Sequence, residues 1–453
     1  MTEGQIPAER GLALEALMGV TAGGYNNIII NKVLSRYPEL PRERRAFVTE
    51  CVNGTLRRLF TLDYIINQVS TTNTRSMDVF ILNLLRMSVY QLAFMENQAG
   101  HAVCDEAVKL AASSKHAALK GFVNANLRSI TQLLPKIIAG IDKIKTADRY
   151  AWLEVKFSCQ RAVAEVLDRE IGEGETELLL DYMNNSRPPV TVCVNTLKTD
   201  KDALSGKLPR SAVVSPGLFM ENALRLTGLP EIQSLAAFRD GLFHVMDEGA
   251  MLAVKGLGLK SGARVLDVCA APGGKAFMAA YIIGGSGYIE ARDIHPHKLD
   301  LISAGTKRLG ITSVKVKEAD ATVLDESCVE GFDAVLADVP CSGLGLIGKK
   351  PDIRYRFSMA QVSKLQGLQR RILNACAKYV KPGGVLIYST CTLTAEENGK
   401  NAAWFAKTHG FLPDPLPCPV PETAITDDKG HVLLLPHKTG CDGFYIARFI
   451  KKG

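Results

Sequence analysis

Residues 264–275 read RVLDVCAAPGGK, a short apolar run followed by a glycine turn. Apolar and β-branched side chains favour a buried strand, and paired glycines favour a turn that opens a helix. The same strand-then-helix pattern recurs along the C-terminal part of the chain, with β-rich runs at residues 264–269, 288–293, 313–318, 333–338 and 385–390 and a late pair near 431–435 and 444–449. Strands that alternate with helices form a parallel sheet with helices on both faces. The pattern therefore predicts a doubly wound α/β domain, which we place at residues 236–453.

Acidic side chains stand at the ends of the predicted strands. They are Asp267, Asp293, Asp320 and Asp338. Folds of this kind bind ligands outside the carboxyl ends of their strands, and a carboxylate after the second strand can accept hydrogen bonds from two ribose hydroxyls. The segment 269–275 lacks the pattern G-x-G-x-x-G, so a nicotinamide cofactor is disfavoured. Several carboxylates around one crevice instead suit a ligand with positive charge and hydrogen-bond donors, such as a sulfonium with an amino group and an adenine amine.

A second glycine-rich stretch, residues 343–349, matches the phosphate-binding pattern G-x-x-x-x-G-K. Position 350 is lysine, however, so the hydroxyl that would ligate magnesium is missing and a nucleoside triphosphatase is disfavoured. The cations in and after this stretch either contact the phosphates of a polymeric substrate or form a solvated loop. They are Lys349, Lys350, Arg354 and Arg356.

Two cysteines follow neighbouring β-rich runs. Cys341 lies in DVPCSG just beyond the fourth run, and Cys391 lies in STCT just beyond the fifth. If the two strands are adjacent, about 4.8 Å apart, both thiols overhang the same crevice. A lone cysteine is usually a small buried hydrophobe, but two on adjacent strand-end loops indicate covalent chemistry. The residues alone do not decide which thiol is the nucleophile. Thr394 and Glu397 have the spacing of a capping box for the next helix, so we assign Glu397 no chemistry.

The N-terminal part of the chain has helical apolar spacing from residue 10 to about 134. We predict an all-α domain of five to seven helices at residues 1–140, a linker at 141–149 and an intermediate α+β subdomain at 150–235. Residues 1–140 hold 15 Lys and Arg against 11 Asp and Glu, which is +4 of the total net charge of +7. This excess favours an anionic partner for the helical domain. Its arginines are predicted to be exposed, in clusters that include Arg44, Arg45, Arg57 and Arg58.

The composition is that of a globular protein, with 47% hydrophobic and 22% charged residues. The first ten residues carry two acids and no apolar run, which predicts no targeting peptide. The longest apolar stretch, residues 79–95, contains Asn83, Arg86 and Gln91 and predicts a buried helix rather than a bilayer span. We therefore expect a cytoplasmic protein with no membrane partner. Eleven cysteines at no disulfide or metal-ligand spacing predict mostly reduced thiols and no metal site.

The motifs together resemble a known family. The stretches 267–275, 338–343 and 389–392, with Glu397 and Asn398, look like the motifs of the NOL1/NOP2/Sun family. The stretches 44–50, 54–58 and 120–125 are similar to the NusB-like RNA-binding domain, and with 442–444 the combination resembles the bacterial RsmB/Sun subgroup. The resemblance implies an all-α NusB-like domain followed by a Rossmann-like methyltransferase domain. It implies S-adenosylmethionine-dependent methylation of carbon 5 of a cytosine in ribosomal RNA of the small subunit, the 16S rRNA.

Residue roles also follow from the resemblance. Cys391 is the implied nucleophile, and Cys341 is the thiol that assists product release. The implied methyl-donor site consists of Cys269, Ala270, Ala271, Pro272, Gly273, Gly274, Lys275, Asp293, Asp320 and Asp338. The expected partner is single-stranded or loop RNA, free or within a small-subunit precursor, because the target base must leave its stack. The candidate RNA contacts are Arg44, Arg45, Arg57, Arg58, Lys349, Lys350 and Arg354. We expect the protein to act as a monomer.

The chemistry explains why two thiols and an acid are needed. Carbon 5 of cytosine is electron-poor, and a thiolate added at carbon 6 turns the ring into a reactive enamine. The pKa of the attacking thiol must be lowered from its usual value near 8.5, by Lys275 or by backbone amides. Asp338 is the best-placed acid for ring nitrogen 3, and Cys341 is the candidate for removing the proton from carbon 5. The alternative is a non-catalytic RNA-binding adaptor for ribosome assembly, which the intact cysteines and acids disfavour.

Overall fold

The computed structural model describes residues 8–96 and 98–453. Residues 1–7, which carry most of the N-terminal stretch predicted not to be a targeting peptide, lie outside this description. The described chain forms two compact units, one made of the residues up to Asn184 with Ile347–Arg356, the other of Asn185–Leu346 with Phe357–Gly453. The finer division into segments 1–140, 141–149, 150–235 and 236–453 stays a prediction. None of the described helices combines the length and apolar character that a membrane span requires.

Unit 1, the first of these units, is helical. Its helices are α1 (Glu9–Thr21), α2 (Asn26–Leu34), α3 (Arg42–Arg57), α4 (Leu59–Asn67), α5 (Val79–Phe94), α6 (Gly100–Ala112), α7 (Lys120–Ile141), α8 (Arg149–Phe157), α9 (Arg161–Ile171) and α10 (Glu173–Asn185). Seven of them lie between the first described residue and Ile141, as the apolar spacing predicts. Their apolar faces meet in one core that includes Leu12, Leu62 and Leu84. The buried helix α5 begins where the Asp78 side chain accepts hydrogen bonds from the amides of Phe80 and Ile81.

Unit 2, the second unit, begins with a small antiparallel sheet. Its elements are β1 (Val190–Val194), α11 (Lys201–Gly206), β2 (Val213–Pro216), β3 (Ala223–Thr227), α12 (Ala236–Arg239) and β4 (Phe243–Val245). The strand order is β2-β3-β1-β4. The sequence predicts β1 but not the other three strands. Those strands are only three to five residues long, and so short a run does not separate a strand from a loop by its apolar pattern.

The remainder of unit 2 is the predicted doubly wound domain. Its elements are α13 (Glu248–Lys255), β5 (Arg264–Asp267), α14 (Gly274–Ile282), β6 (Tyr288–Asp293), α15 (Pro296–Leu309), β7 (Val314–Glu318), β8 (Phe332–Asp338), α17 (Met359–Tyr379), β9 (Val380–Thr390), α18 (Gly399–His409), β10 (Leu412–Pro413), β11 (Ile425–Thr426), β12 (Val432–Leu434), α19 (Pro436–Thr439) and β13 (Phe444–Ile450). The short helix α16 (Ile353–Arg356) interrupts this series and belongs to unit 1.

The strand order of the large sheet determines where a ligand can bind. The order is β11-β12-β13-β9-β8-β5-β6-β7, with β10 paired to β13. The five strands from β9 to β7 in this order are parallel, and β13 runs antiparallel to β9. The chain leaves β5 toward β6 and β7 and then returns to add β8 and β9 on the other side. This reversal opens a crevice at the carboxyl ends of β5 and β8.

Side-chain alternation along the parallel strands fills both faces of the large sheet. On β8, Ala334 and Leu336 join one core cluster, whereas Val335 and Ala337 join the other. Successive residues of a strand point to opposite faces, so a strand that is apolar at every position is buried on both sides. This is why the β-rich runs of the sequence are nearly continuous rather than alternating.

Candidate active site

The register of β8 and β9 brings the two predicted cysteines together. Asp338 lies opposite Ser389 in this parallel pair, and the strand-end loops carry Cys341 and Cys391 beyond them. The two Sγ atoms are 3.3 Å apart, and both cysteines are free thiols of intermediate exposure. The predicted adjacency of the two loops is confirmed. Neither thiol is sealed in the interior, so both are in a position for chemistry at the crevice.

The two cysteine loops are tied to each other by backbone and hydroxyl groups. The amide of Gly345 donates to the carbonyl oxygen of Cys391 at 3.0 Å, and the hydroxyls of Ser342 and Thr392 lie 2.7 Å apart. A Cβ atom on Gly345 would lie 2.1 Å from the carbonyl oxygen of Gly443, so only glycine fits there. Gly345, within the glycine-rich stretch 343–349, therefore serves close backbone packing.

A partly buried ion pair lies beside the thiols. The Nζ atom of Lys275, in the first turn of α14, donates to Oδ2 of Asp338 at 2.6 Å, and the Ser389 hydroxyl donates to Oδ1 at 2.8 Å. Burial by itself lowers the pKa of the Lys275 ammonium, but Asp338, Asp267 and the Cys391 thiol outweigh it and raise that pKa. Lys275 therefore keeps its positive charge close to Cys391.

The two thiols differ in their surroundings. The hydrogen bond that the Cys341 thiol donates to Cys391, together with burial and the charges of Cys391, Glu397 and Asp338, raises the pKa of Cys341 well above its usual value. Cys341 is therefore a neutral thiol at neutral pH. The nearby charge that interacts with Cys391, by contrast, is the cation of Lys275.

Asp267 is a candidate site residue that the sequence interpretation left without a role. It is 1% exposed at the end of β5, and neither of its carboxylate oxygens has a hydrogen-bond partner among the described residues. Burial, opposed by Lys275, raises its pKa to about 7. A buried carboxylate without donors is costly unless a ligand supplies them. Its position at the end of the first predicted strand was the available signal.

A cavity of about 370 Å³ lies at the same edge of the sheet, beyond β5, β6 and β7. Of the residues predicted for the methyl-donor site, Cys269, Asp293 and Asp320 line it. Asp293 also accepts a hydrogen bond from the His295 amide at 3.0 Å. The backbone amide and the hydroxyl of Thr322 lower the pKa of Asp320, which is therefore ionised at neutral pH. The cavity thus offers two acids to the hydroxyl and amino groups of a ligand.

The other residues predicted for the methyl-donor site, 270–275 and Asp338, are not among the described residues that line this cavity. Residues 270–274 form the turn between β5 and α14, and Lys275 and Asp338 face the thiols. Gly273 has a φ of 109°, and a Cβ atom there would lie 2.3 Å from the Phe277 ring. The backbone of this turn therefore carries no side chain at Gly273, which allows a ligand to approach it closely.

The predicted pairing of Thr394 with Glu397 is present, since the Glu397 amide donates to the Thr394 hydroxyl at 3.4 Å and this hydroxyl donates to the Glu397 carboxylate at 2.9 Å. Helix α18, however, begins only at Gly399, and the Glu397 side chain is fully buried and directed toward the Cys341 loop. Its carboxylate also accepts from the Ser342 amide at 2.9 Å. The spacing could not reveal this partner, because Ser342 is 55 residues away in the chain.

The prediction that Arg57 and Arg354 face RNA is also wrong. Arg57 is 8% exposed, and Arg354 is completely buried within unit 1. The Nη1 atom of Arg354 donates to the carbonyl oxygen of Phe157 and to Oδ1 of Asn184, at 2.8 Å each. Consecutive charges look solvated in a sequence, but an arginine that finds carbonyl acceptors can be buried.

The remaining candidate RNA contacts of unit 1 are partly committed to other groups. Arg44 pairs with Glu9 at 2.8 Å, and Arg45 donates to two backbone carbonyls at 3.2 Å. Arg58 lies over the Phe94 ring at 4.8 Å, and burial lowers its pKa to about 10. Lys349 and Lys350 are exposed. RNA contact by these five residues stays a prediction.

The doubly wound sheet, with an acidic cavity and two thiols at its carboxyl edge, defines a Rossmann-like methyltransferase. Residues 254–450 match the family described as 16S rRNA methyltransferase RsmB/F, and residues 7–132 match the NusB family. The chain belongs to the RsmB/F methyltransferase family and carries a NusB domain at its N-terminal end. These matches confirm the predicted fold class and family resemblance.

Full-length relatives support this assignment. The probable ribosomal RNA small subunit methyltransferase B of Bacillus subtilis is 33% identical over 98% of this chain and 99% of its own length. The ribosomal RNA small subunit methyltransferase B of Shigella sonnei is 28% identical over 98% of both chains. The crystal structure of PH0851 is similar with a TM-score of 0.82 and 25% identity, and the similarity covers 99% of each chain.

Proposed function

We propose that the protein transfers a methyl group from S-adenosylmethionine to carbon 5 of a cytosine in 16S ribosomal RNA. The observation that carries the reaction is the pair of thiols 3.3 Å apart beside the Lys275–Asp338 ion pair. The RNA substrate is supported by the family and by the full-length relatives, which are named ribosomal RNA small subunit methyltransferase B. We place the reaction in the cytoplasm.

The residues at the strand ends fit S-adenosylmethionine. Asp293 would accept from the ribose hydroxyls and Asp320 from the adenine amine, and the unpartnered carboxylate of Asp267 would receive the amino group. The cavity is also lined by apolar side chains such as Pro340 and Leu368, which suit the adenine ring. When bound, this cofactor supplies an electrophilic methyl group.

Cys391 is the nucleophile of the proposed reaction. Its thiolate adds to carbon 6 of the cytosine and makes carbon 5 a nucleophile. The Lys275 ammonium stabilises the thiolate before attack. The proton shared between Lys275 and Asp338 is available to ring nitrogen 3, which gains basicity as the ring becomes an enamine.

Cys341 acts in the second half of the proposed reaction. Once carbon 5 carries the methyl group, its proton must leave so that Cys391 can be eliminated. In the covalent adduct the Cys391 sulfur is a neutral thioether, and the interaction that most raises the pKa of Cys341 is lost. Cys341 then loses its own proton to water, and the resulting thiolate accepts the carbon 5 proton, either directly or through a water molecule. In this proposal the Cys391 thiolate acts first, in the attack on carbon 6, and the Cys341 thiolate acts second, in the release of the product.

The product tests the proposal. The full-length protein is incubated with S-adenosylmethionine labelled in its methyl group and with either deproteinised 16S rRNA or small-subunit particles. The RNA is then digested to nucleosides and analysed by mass spectrometry. Labelled 5-methylcytidine is the expected product. A label on another nucleoside, or the absence of label with both substrates, would overturn the proposal, and the second result would favour the adaptor.

A further inference from the structure

We propose that Glu397 is a positioning residue for Cys341, holding this thiol where it must stand to release the methylated RNA. The inference rests on the proposed function, because it assigns a residue to the release step of that reaction. Glu397 does not contact the thiol. It acts through the peptide groups on either side of Cys341, and it does so together with Gln369.

The Glu397 carboxylate is fully buried and accepts hydrogen bonds from four donors. Oε1 accepts from the Ser342 amide and from Nε2 of Gln369, at 2.9 Å each. Oε2 accepts from the Ser342 hydroxyl at 2.5 Å and from the Thr394 hydroxyl at 2.9 Å. No cation contributes to this set of four. A carboxylate is the side chain that can accept four hydrogen bonds without donating one.

The four hydrogen bonds converge on the neighbours of Cys341. Ser342 follows the cysteine, and both its amide and its hydroxyl are bound by Glu397. Pro340 precedes it, and its carbonyl oxygen accepts from Gln369 Nε2 at 2.9 Å, the same atom that donates to Glu397. Cys341 is therefore held on both sides by two fully buried polar side chains from different elements.

Glu397 is also bound to the Cys391 loop and to β9. Thr394 lies in this loop, and its hydroxyl donates to the carboxylate, while the backbone carbonyl oxygen of Glu397 accepts from the Tyr388 hydroxyl on β9. Glu397 thus connects the Cys341 loop to the Cys391 loop. Its negative charge also contributes to the raised pKa of Cys341, which favours the protonated thiol before the release step.

Replacing the carboxylate by an amide separates positioning from charge. In Glu397→Gln one acceptor oxygen becomes an NH₂ group, so the Ser342 and Thr394 hydroxyls must accept from it instead of donating, and the charged acceptor that holds the Cys341 loop is lost. The Cys341 loop is then held less tightly relative to Cys391, which keeps its own strand. Methyl transfer should persist while release slows, because a displacement near 1 Å costs on the order of 10²-fold in rate.

The experiment measures release directly. Wild type, Glu397→Gln and Cys341→Ala are mixed with RNA and labelled S-adenosylmethionine, and the covalent protein–RNA adduct is separated on a denaturing gel. We expect both variants to accumulate adduct that carries methyl label, with free product formed on the order of 10²-fold more slowly. The double variant Cys341→Ala/Glu397→Gln should behave as Cys341→Ala alone, since Glu397 acts through this thiol.

Two further variants keep the test decisive. Glu396→Gln changes the neighbouring acid, which pairs with Lys400 at 3.0 Å, and should release product at the wild-type rate. Ser342→Ala removes one of the four hydrogen bonds without placing a new amide group in the interior, so it can replace Glu397→Gln if that variant does not fold. It should accumulate adduct as well, but less of it than Cys341→Ala. Wild-type release by a folded Glu397→Gln, or a double variant slower than Cys341→Ala, would overturn the inference and leave the proposed function intact. If wild type makes no 5-methylcytidine, the proposed function itself fails.

Discussion

At the scale of the residue, the site separates two identical functional groups by their neighbours. Cys391 has the partly buried Lys275 ammonium close by, whereas Cys341 has the Cys391 thiol and two carboxylates around it. The surroundings of Cys341 favour a neutral thiol. The same side chain can therefore start the proposed reaction in one position and finish it in the other.

Cys391→Ala should abolish methyl transfer and leave S-adenosylmethionine binding close to that of wild type, because the cavity is formed by other residues. Label incorporation into RNA and isothermal titration with the cofactor measure the two properties. Cys104→Ala in unit 1 is the matched control and should keep full turnover. Turnover of more than a few per cent of wild type in Cys391→Ala would move the nucleophile elsewhere.

Asp267 should make stability depend on pH in the cofactor-free protein. Its pKa is about 7 in the fold and 3.8 when unperturbed, so between these values the native state binds more protons than the unfolded state. Stability from this group is present below the lower value and is lost as pH rises through the upper one. Asp267→Asn should remove this component. As pH rises across this window, the thermal unfolding midpoint of wild type should therefore fall relative to that of Asp267→Asn. Parallel pH profiles would contradict the assignment.

At the scale of the element, the carboxyl edge of the sheet depends on a close backbone contact between two loops. Gly345 and Gly443 approach so closely that a Cβ atom on the first would lie 2.1 Å from the carbonyl oxygen of the second. Gly345 belongs to the Cys341 loop and Gly443 directly precedes β13, so this contact packs the Cys341 loop against the start of β13. The Gly345 amide also donates to the carbonyl oxygen of Cys391 at 3.0 Å, so the packing at this glycine affects both cysteine loops.

Gly345→Ala should displace the Cys341 loop and reduce turnover strongly, with a stability cost of about 1–3 kcal/mol from overpacking. Gly367→Ala is the matched control, because this glycine lies in α17 with open space around it. It should keep turnover and raise stability by about 0.5–1 kcal/mol. Chemical denaturation and turnover, measured on both variants, test the pair. Equal turnover in the two variants would show that the glycine contact is dispensable.

At the scale of the whole molecule, each of the two units is built from segments that are not continuous in the sequence. Residues 347–356 follow the Cys341 loop in sequence, yet they pack in unit 1, where Arg354 bonds to main-chain and side-chain oxygens. Unit 1 therefore needs a segment from the methyltransferase part of the sequence. A deletion of residues 1–140 would remove one hydrogen-bond partner of the buried Arg354, the carbonyl oxygen of Arg57, and is a poor test of RNA binding.

A charge substitution on the surface is the better test of RNA binding by unit 1. Lys350 is exposed on the segment 347–356, and its replacement by alanine should weaken RNA binding and reduce the salt slope of the binding constant by about 0.7 for single-stranded RNA. Lys407→Ala, an exposed lysine on α18, should leave the slope unchanged. Binding curves at several salt concentrations measure the difference. An identical slope for wild type and Lys350→Ala would exclude this phosphate contact.

The sequence by itself determined the parallel sheet, the helical N-terminal part and the position of Cys341 and Cys391 on strand-end loops. These features depend on apolar periodicity, on glycine turns and on the rule that parallel strands end at one edge, all of which are local. Tertiary structure alone decided the burial of Arg57 and Arg354, the pairing of Lys275 with Asp338 and the partner of Glu397. Hydrogen bonds and burial join residues that are distant in the chain, and a charged side chain looks the same in a sequence whether water or a buried acceptor will satisfy it.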